Sequence, residues 1–143
     1  MAQKPPTVVD LTWLGDLKFT ATSGDATITL DSAGTAGPSP VQTLGFALAG
    51  CMAMDVAHIL TRSRHVFHSL RAHLVADRAA DDPHRILRVA IRFSVEGSVP
   101  ADAVDRAIAL SREKYCSVWH SMRQDIALET SVEIEDDRES SLR

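Results

Sequence analysis

Hydrophobic and polar positions alternate over the first thirty residues. In "TVVDLTW" the apolar Val9, Leu11 and Trp13 share one face. Leu17, Phe19 and Ala21 then oppose Lys18, Thr20 and Thr22, and Ala26, Ile28 and Leu30 oppose Thr27, Thr29 and Asp31. A period of two marks half-buried strands. Gly15-Asp16 and Ser23-Gly24-Asp25 separate the runs as turns, so three short antiparallel strands are predicted.

The period changes after "SAGTAGPSP". Ser39 can cap a helix, Pro40 suits its first position and Gln42 falls where a capping box needs it. The helix is predicted from Ser39 to about Arg64. Its apolar residues (Val41, Leu44, Phe46, Leu48, Cys51, Met52, Val56, Ile59 and Leu60) surround almost the whole circumference. A helix apolar all round is buried on all sides. In a chain this small, that predicts a second subunit covering it. No charge occurs from Ser32 to Met54, which invites a membrane reading. A span needs about 20 apolar residues, and here Gln42, Thr43, Asp55 and His58 interrupt. An aspartate near a span centre costs about 2.5–3.5 kcal/mol. A buried core helix is expected, and no membrane partner.

Two longer alternating runs follow, "HSLRAHLVADR" and "RILRVAIRFSVEG", joined through "DDPH" as a hairpin. A helix is predicted from Pro100, with Val104, Ala107, Ile108, Ser111 and Tyr115 on one stripe. "CSVWHSM" either continues it or opens a short helix. "DIALETSVEIE" alternates as a last strand, and "DDRESSLR" is a polar tail. The order β-β-β-α-β-β-α-β defines an α+β chain, expected as one domain over residues 1–143 with antiparallel sheets.

Length and composition narrow the function. The 143 residues, 45% hydrophobic and 24% charged, describe one ordinary globular domain. A net charge of -4 with scattered basic residues argues against a nucleic-acid partner. "MAQKPPTVVD" has no apolar secretory core, so a cytoplasmic location is expected. The two cysteines are then free thiols, and any disulfide is transient or catalytic.

Cys51 lies about three turns into the first long helix, between Gly45 and Gly50 on one side and Asp55 on the other. Glycine inside a helix costs about 1 kcal/mol relative to alanine, so close approach by something is expected there. Cys116 follows Arg112 and Lys114, and cations or a helix N-terminus there would favour its thiolate. The plainer alternatives are that Cys51 is a small buried hydrophobe and that "KYC" merely ends a helix. Cys116–His120 and Cys51–Asp55 are each spaced four apart, with His58 one turn further, but no CxxC or HExxH motif is present. No metal and no cofactor are assigned. His65, His68, His73 and His84 read as surface residues.

"SPVQTLGFALAGCMAMDV", followed 65 residues later by "KYC", resembles the OsmC/Ohr family. The resemblance covers nearly the whole chain, and "GCxxxDV" with "RAIxLSxxKYC" points to a less characterised branch. It implies an OsmC-like fold, an intertwined homodimer with central helices between sheets. It also implies reduction of organic hydroperoxides, with Cys51 as the peroxidatic and Cys116 as the resolving thiol, restored by a dithiol reductant. The family's peroxidases carry a glutamate just after the helix-start proline and an arginine from the N-terminal strands. Here Val41 takes the first place, and no arginine precedes Arg62. Weak activity is therefore expected, with Lys18, His58 and Asp55 as candidate supporting residues. Two other functions fit the residues: a non-catalytic binder of a small apolar or thiol-reactive ligand at the dimer interface, and a metal or redox sensor.

Overall fold

A computed structural model describes residues 2–135 of the chain. The chain divides at Leu44/Gly45 into two compact units. The tail read as "DDRESSLR" lies outside the described residues.

In the N-terminal unit the three expected strands form an antiparallel sheet in the order β1 (Asp10–Gly15), β2 (Lys18–Ser23), β3 (Ala26–Asp31). Beyond β3, Asp31 organises the connection. Its carboxylate accepts from the Ala36 N–H (2.9 Å), the Thr35 hydroxyl (2.8 Å) and the Ala33 N–H (3.0 Å). These bonds, led by the one from Ala36, hold its pKa down to about 2. The capping box forms as the sequence predicts. The Ser39 N–H donates to Gln42 Oε1 (2.9 Å), and the Gln42 N–H donates to Ser39 Oγ (3.2 Å).

The first long helix, α1, runs Pro40–Arg62 and carries the chain into the C-terminal unit. It stops two residues earlier than the pattern suggests. Arg64 takes a left-handed φ of 64°, and the His65 N–H turns back to the Leu60 carbonyl at 3.0 Å, a C-terminal cap. Then come β4 (Val66–Arg78), β5 (Ile86–Ser98), α2 (Ala101–Leu110), a π-helical turn (Ser111–Tyr115), the short α3 (Ser117–His120) and β6 (Ala127–Glu135). The second sheet has the order β4-β5-β6.

This sheet is mixed. β4 and β5 pair antiparallel, but β6 lies parallel to β5, with Ile91 opposite Thr130. The expectation of antiparallel sheets throughout is thereby corrected. The cause is the connection: α2 and α3 stand between β5 and β6, and a helical crossover returns the chain in the same direction. β5 pairs β4 tightly at Gly97, whose φ is 149°. A Cβ there would stand 2.6 Å from the Val66 carbonyl oxygen and 2.6 Å from the Phe67 Cα.

The core sits between α1, β5 and the α2–α3 segment. α1 contributes Leu48, Met52, Val56 and Leu60, all fully buried and four residues apart. They join Val89, Ile91, Phe93 and Val95 of β5, Val104, Ala107 and Ile108 of α2, and Cys116 and Trp119. Each valine, leucine, isoleucine, phenylalanine or methionine among them contributes about 1.5–3 kcal/mol by leaving water. The rest of α1 departs from the all-round burial expected of it. Phe46 is 68% exposed and Met54 74%. One chain therefore covers a single stripe of this helix. By length and composition alone α1 could also cross a bilayer.

Asp31 supplies a test of the N-terminal loop. Its pKa is lower folded than the carboxylate's ordinary value near 3.9, so its contribution is complete above about pH 4 and is lost as pH falls through about 2. Asp31→Asn should be less stable than the parent at neutral pH, and denaturant melts should show the difference shrinking between about pH 4 and 2. A gap of the same size at every pH would contradict this role.

Candidate functional site

Cys51 and Asp55 are one turn apart on α1, and both are half-buried. Cys116 reaches them from the junction between the π turn and α3. The two sulfurs and an Asp55 carboxylate oxygen all lie within 4.8 Å of one another. Both cysteines are free thiols.

Ser111 arranges this meeting. It is fully buried, and its hydroxyl donates to Asp55 Oδ2 at 2.8 Å. Its carbonyl accepts the Cys116 N–H at 2.7 Å, the five-residue bond of the π turn. One residue thus orients the carboxylate through its side chain and the second thiol through its backbone. A π turn in place of an α turn adds a residue to the repeat. Such insertions occur often at functional sites. Here it displaces the stripe of α2. Tyr115, expected on the buried face, is 52% exposed, and Cys116 takes the inward place at 0%.

The setting of Cys116 reverses one expectation. A new helix at Cys116 or neighbouring cations would favour its thiolate, the alternative being that "KYC" merely ends a helix. Cys116 does precede α3, and the Trp119 N–H donates to its sulfur at 3.3 Å. Burial nevertheless dominates and pushes the thiol up to about 11, against the opposing pull of that N–H and with a further push from Cys51. The cations face elsewhere. The Arg112 guanidinium donates to the Leu128 carbonyl at 2.9 Å, and the Lys114 ammonium lies 5.4 Å from the centre of the Tyr115 ring. Cys51 has a milder setting, half-buried and 3.9 Å from the Ser117 hydroxyl.

The other candidates fall outside this group. His58 is exposed on α1 and is not part of the three-residue cluster. His120, four residues after Cys116, places Nε2 3.0 Å from the Arg112 carbonyl oxygen and is likewise not in it. Lys18 belongs to the N-terminal unit, where it opens β2 opposite Asp31. A close approach was expected at both helix glycines. A Cβ at Gly45 would make only an ordinary 3.7 Å contact with Leu74, and one at Gly50 would meet nothing within 4 Å. The sequence placed Ser111 on a core stripe and gave it no role. Its one signal was a hydroxyl among Val104, Ala107 and Ile108.

Two thiols and a carboxylate gathered against the core helix of an α+β chain define a dithiol protein. The OsmC-like protein family model matches residues 31–131, and the chain belongs to that family. Protein YhfA of Escherichia coli K12 is 32% identical over 128 residues, covering 89% of this chain and 92% of YhfA. A crystal structure from Aquifex aeolicus VF5 superposes with a TM-score of 0.87 at 25% identity, over 94% of this chain and 99% of that one. The organic hydroperoxide resistance protein OhrB of Bacillus subtilis superposes with a TM-score of 0.64 at 14% identity, over 90% and 98% of the two chains, a likeness of fold.

The unequal settings of the thiols predict their order of reaction. At pH 8, a thiol with a pKa near 11 is about one part in a thousand ionised. Under limiting iodoacetamide, mass spectrometry should find Cys51 labelled well before Cys116. Equal rates, or Cys116 first, would mean that burial does not govern the site.

Proposed function

We propose that this chain is a thiol-dependent peroxidase that reduces organic hydroperoxides slowly. The observation that carries the reading is the approach of the two sulfurs to within 4.8 Å. Family membership supports it. So does the name of OhrB, an organic hydroperoxide resistance protein of the same fold.

The more accessible Cys51 acts first. Its thiolate attacks the outer oxygen of the hydroperoxide, the O–O bond breaks, and the alkoxide leaves as an alcohol after taking a proton. Cys51 becomes a sulfenic acid. Cys116 then attacks the Cys51 sulfur. The S–O bond breaks, a disulfide forms, and the departing oxygen leaves as water with the Cys116 proton. Because Cys116 is a thiol at neutral pH, a group that carries this proton lowers the barrier. The Asp55 carboxylate, fixed by Ser111, lies within reach of both sulfurs. A dithiol reductant restores the pair.

The protein works as a homodimer in this reading, water-soluble and cytoplasmic. Three features support a second copy. Phe46 and Met54 of α1 stand exposed. Gly50 has open space beside it. Among the described residues of the N-terminal unit Ala21 is the one buried apolar residue, while Leu11, Trp13, Leu17 and Ile28 are exposed. A three-stranded sheet needs an apolar face covered to persist. Light scattering should give about twice the 15.5 kDa chain mass. A folded monomer at micromolar concentration would contradict the dimer.

Val41 and the lack of an arginine before Arg62 set the expected rate. Losing one well-placed donor costs about 10²–10³ in rate. Cumene hydroperoxide turnover with dithiothreitol should therefore be weak, abolished in Cys51→Ser, and reduced in Cys116→Ser. The Cys116→Ser protein should accumulate a Cys51 sulfenic acid that dimedone traps. Turnover that survives Cys51→Ser would remove the thiol mechanism.

A further inference from the structure

α1 presents Cys51 Sγ and the Asp55 carboxylate on one face, and the π turn brings Cys116 Sγ to the same place. Spacing along the chain made only a weak case for a metal, because the third ligand comes from 65 residues away. The fold supplies it. We propose that the reduced site binds one zinc-class divalent cation per chain through the Cys51 and Cys116 thiolates and the Asp55 carboxylate. The proposal shares its thiols with the peroxidase reading but needs no peroxide chemistry.

The dimensions suit such an ion. Zinc–sulfur and zinc–oxygen bonds of about 2.3 and 2.1 Å at tetrahedral angles set ligand atoms about 3.6–3.8 Å apart. The three atoms here stand at most 4.8 Å apart. The remaining ångström is on the scale that side-chain rotation about Cα–Cβ covers. Two sulfurs and one oxygen also suit the borderline-soft character of zinc, whereas calcium and magnesium take oxygen ligands.

The surrounding hydrogen bonds already serve these ligands. Ser111, itself fully buried, donates to Asp55 Oδ2 and leaves the carboxylate further lone pairs for the ion. The Trp119 N–H donates to Cys116 Sγ. Outer contacts of this type orient ligands and typically change metal affinity by about 10–100-fold. Three protein ligands leave a fourth position open, the arrangement of catalytic zinc sites and not of structural ones.

Binding displaces the two thiol protons. It also occupies the sulfur lone pairs that would attack a hydroperoxide, so the loaded site resists oxidation. When an alkyl hydroperoxide does oxidise it, two thiolates give two electrons to the O–O bond. Two protons are taken up, and the products are the disulfide, an alcohol, water and the released ion. The site therefore alternates between a metal-loaded dithiolate and a metal-free disulfide.

The test is metal titration of the reduced full-length protein in metal-free buffer. Cadmium reports through its thiolate charge-transfer absorption, and zinc through competition with a chromophoric chelator. One ion per chain is expected, lost in Cys51→Ser and in Cys116→Ser. Affinity should fall at least tenfold in Asp55→Asn and about tenfold in Ser111→Ala, with circular dichroism showing each variant folded. Diamide oxidation should release the ion. No charge-transfer band in the parent, or unchanged affinity in folded Asp55→Asn, overturns the proposal. Ion binding without peroxide turnover would leave this site standing and remove the peroxidase. Turnover without ion binding would do the reverse.

Discussion

Ser111 holds two parts of the molecule in register at once. Its hydroxyl fixes Asp55 on α1, and its carbonyl receives the Cys116 N–H. The residue is fully buried, so both bonds form away from water, where leaving either partner unpaired costs about 1–3 kcal/mol. The positions of the carboxylate and of the second thiol therefore depend on one residue and one π turn. Without that turn the helical repeat would put Tyr115 inward, and Cys116 would lose its place beside Cys51.

Burial then separates the two thiols. Cys116, after the π turn, is enclosed by the core and holds its proton, while Cys51 on α1 is half-buried. In the proposed reaction this difference divides the labour between an attacking sulfur and one that answers it, and it gives the neighbouring carboxylate a use. A buried thiol needs somewhere to send its proton, whether the reaction is disulfide formation or capture of a metal ion.

Most of the fold was legible because its signals are local. Period-two alternation marked the strands, and Ser39, Pro40 and Gln42 marked the start of α1. The parallel pairing of β6 was not, because alternation reports faces and not direction. The helix standing between β5 and β6 carried that information, since helical crossovers favour parallel return. Cys51 and Cys116 stand out as the two cysteines of the chain, the resemblance to a family implies their pairing, and their approach is a property of the tertiary fold. Ser111 and the displacement of Tyr115 could not be read from the chain. A π turn is a packing outcome, and "SREKY" fits an α-helix as well. The all-round apolar character of α1 was read correctly as composition. Its burial depends on what covers Phe46 and Met54, which a single chain does not supply.

The central claim is that Cys51 and Cys116 form one reactive pair. Its most direct test is non-reducing peptide mapping of the reduced protein after one equivalent of cumene hydroperoxide. The account predicts a single cross-linked peptide joining Cys51 to Cys116 within one chain, with two free thiols lost per peroxide consumed. Two thiols intact after peroxide, or Cys51 linked only to Cys51 of another chain, would contradict it.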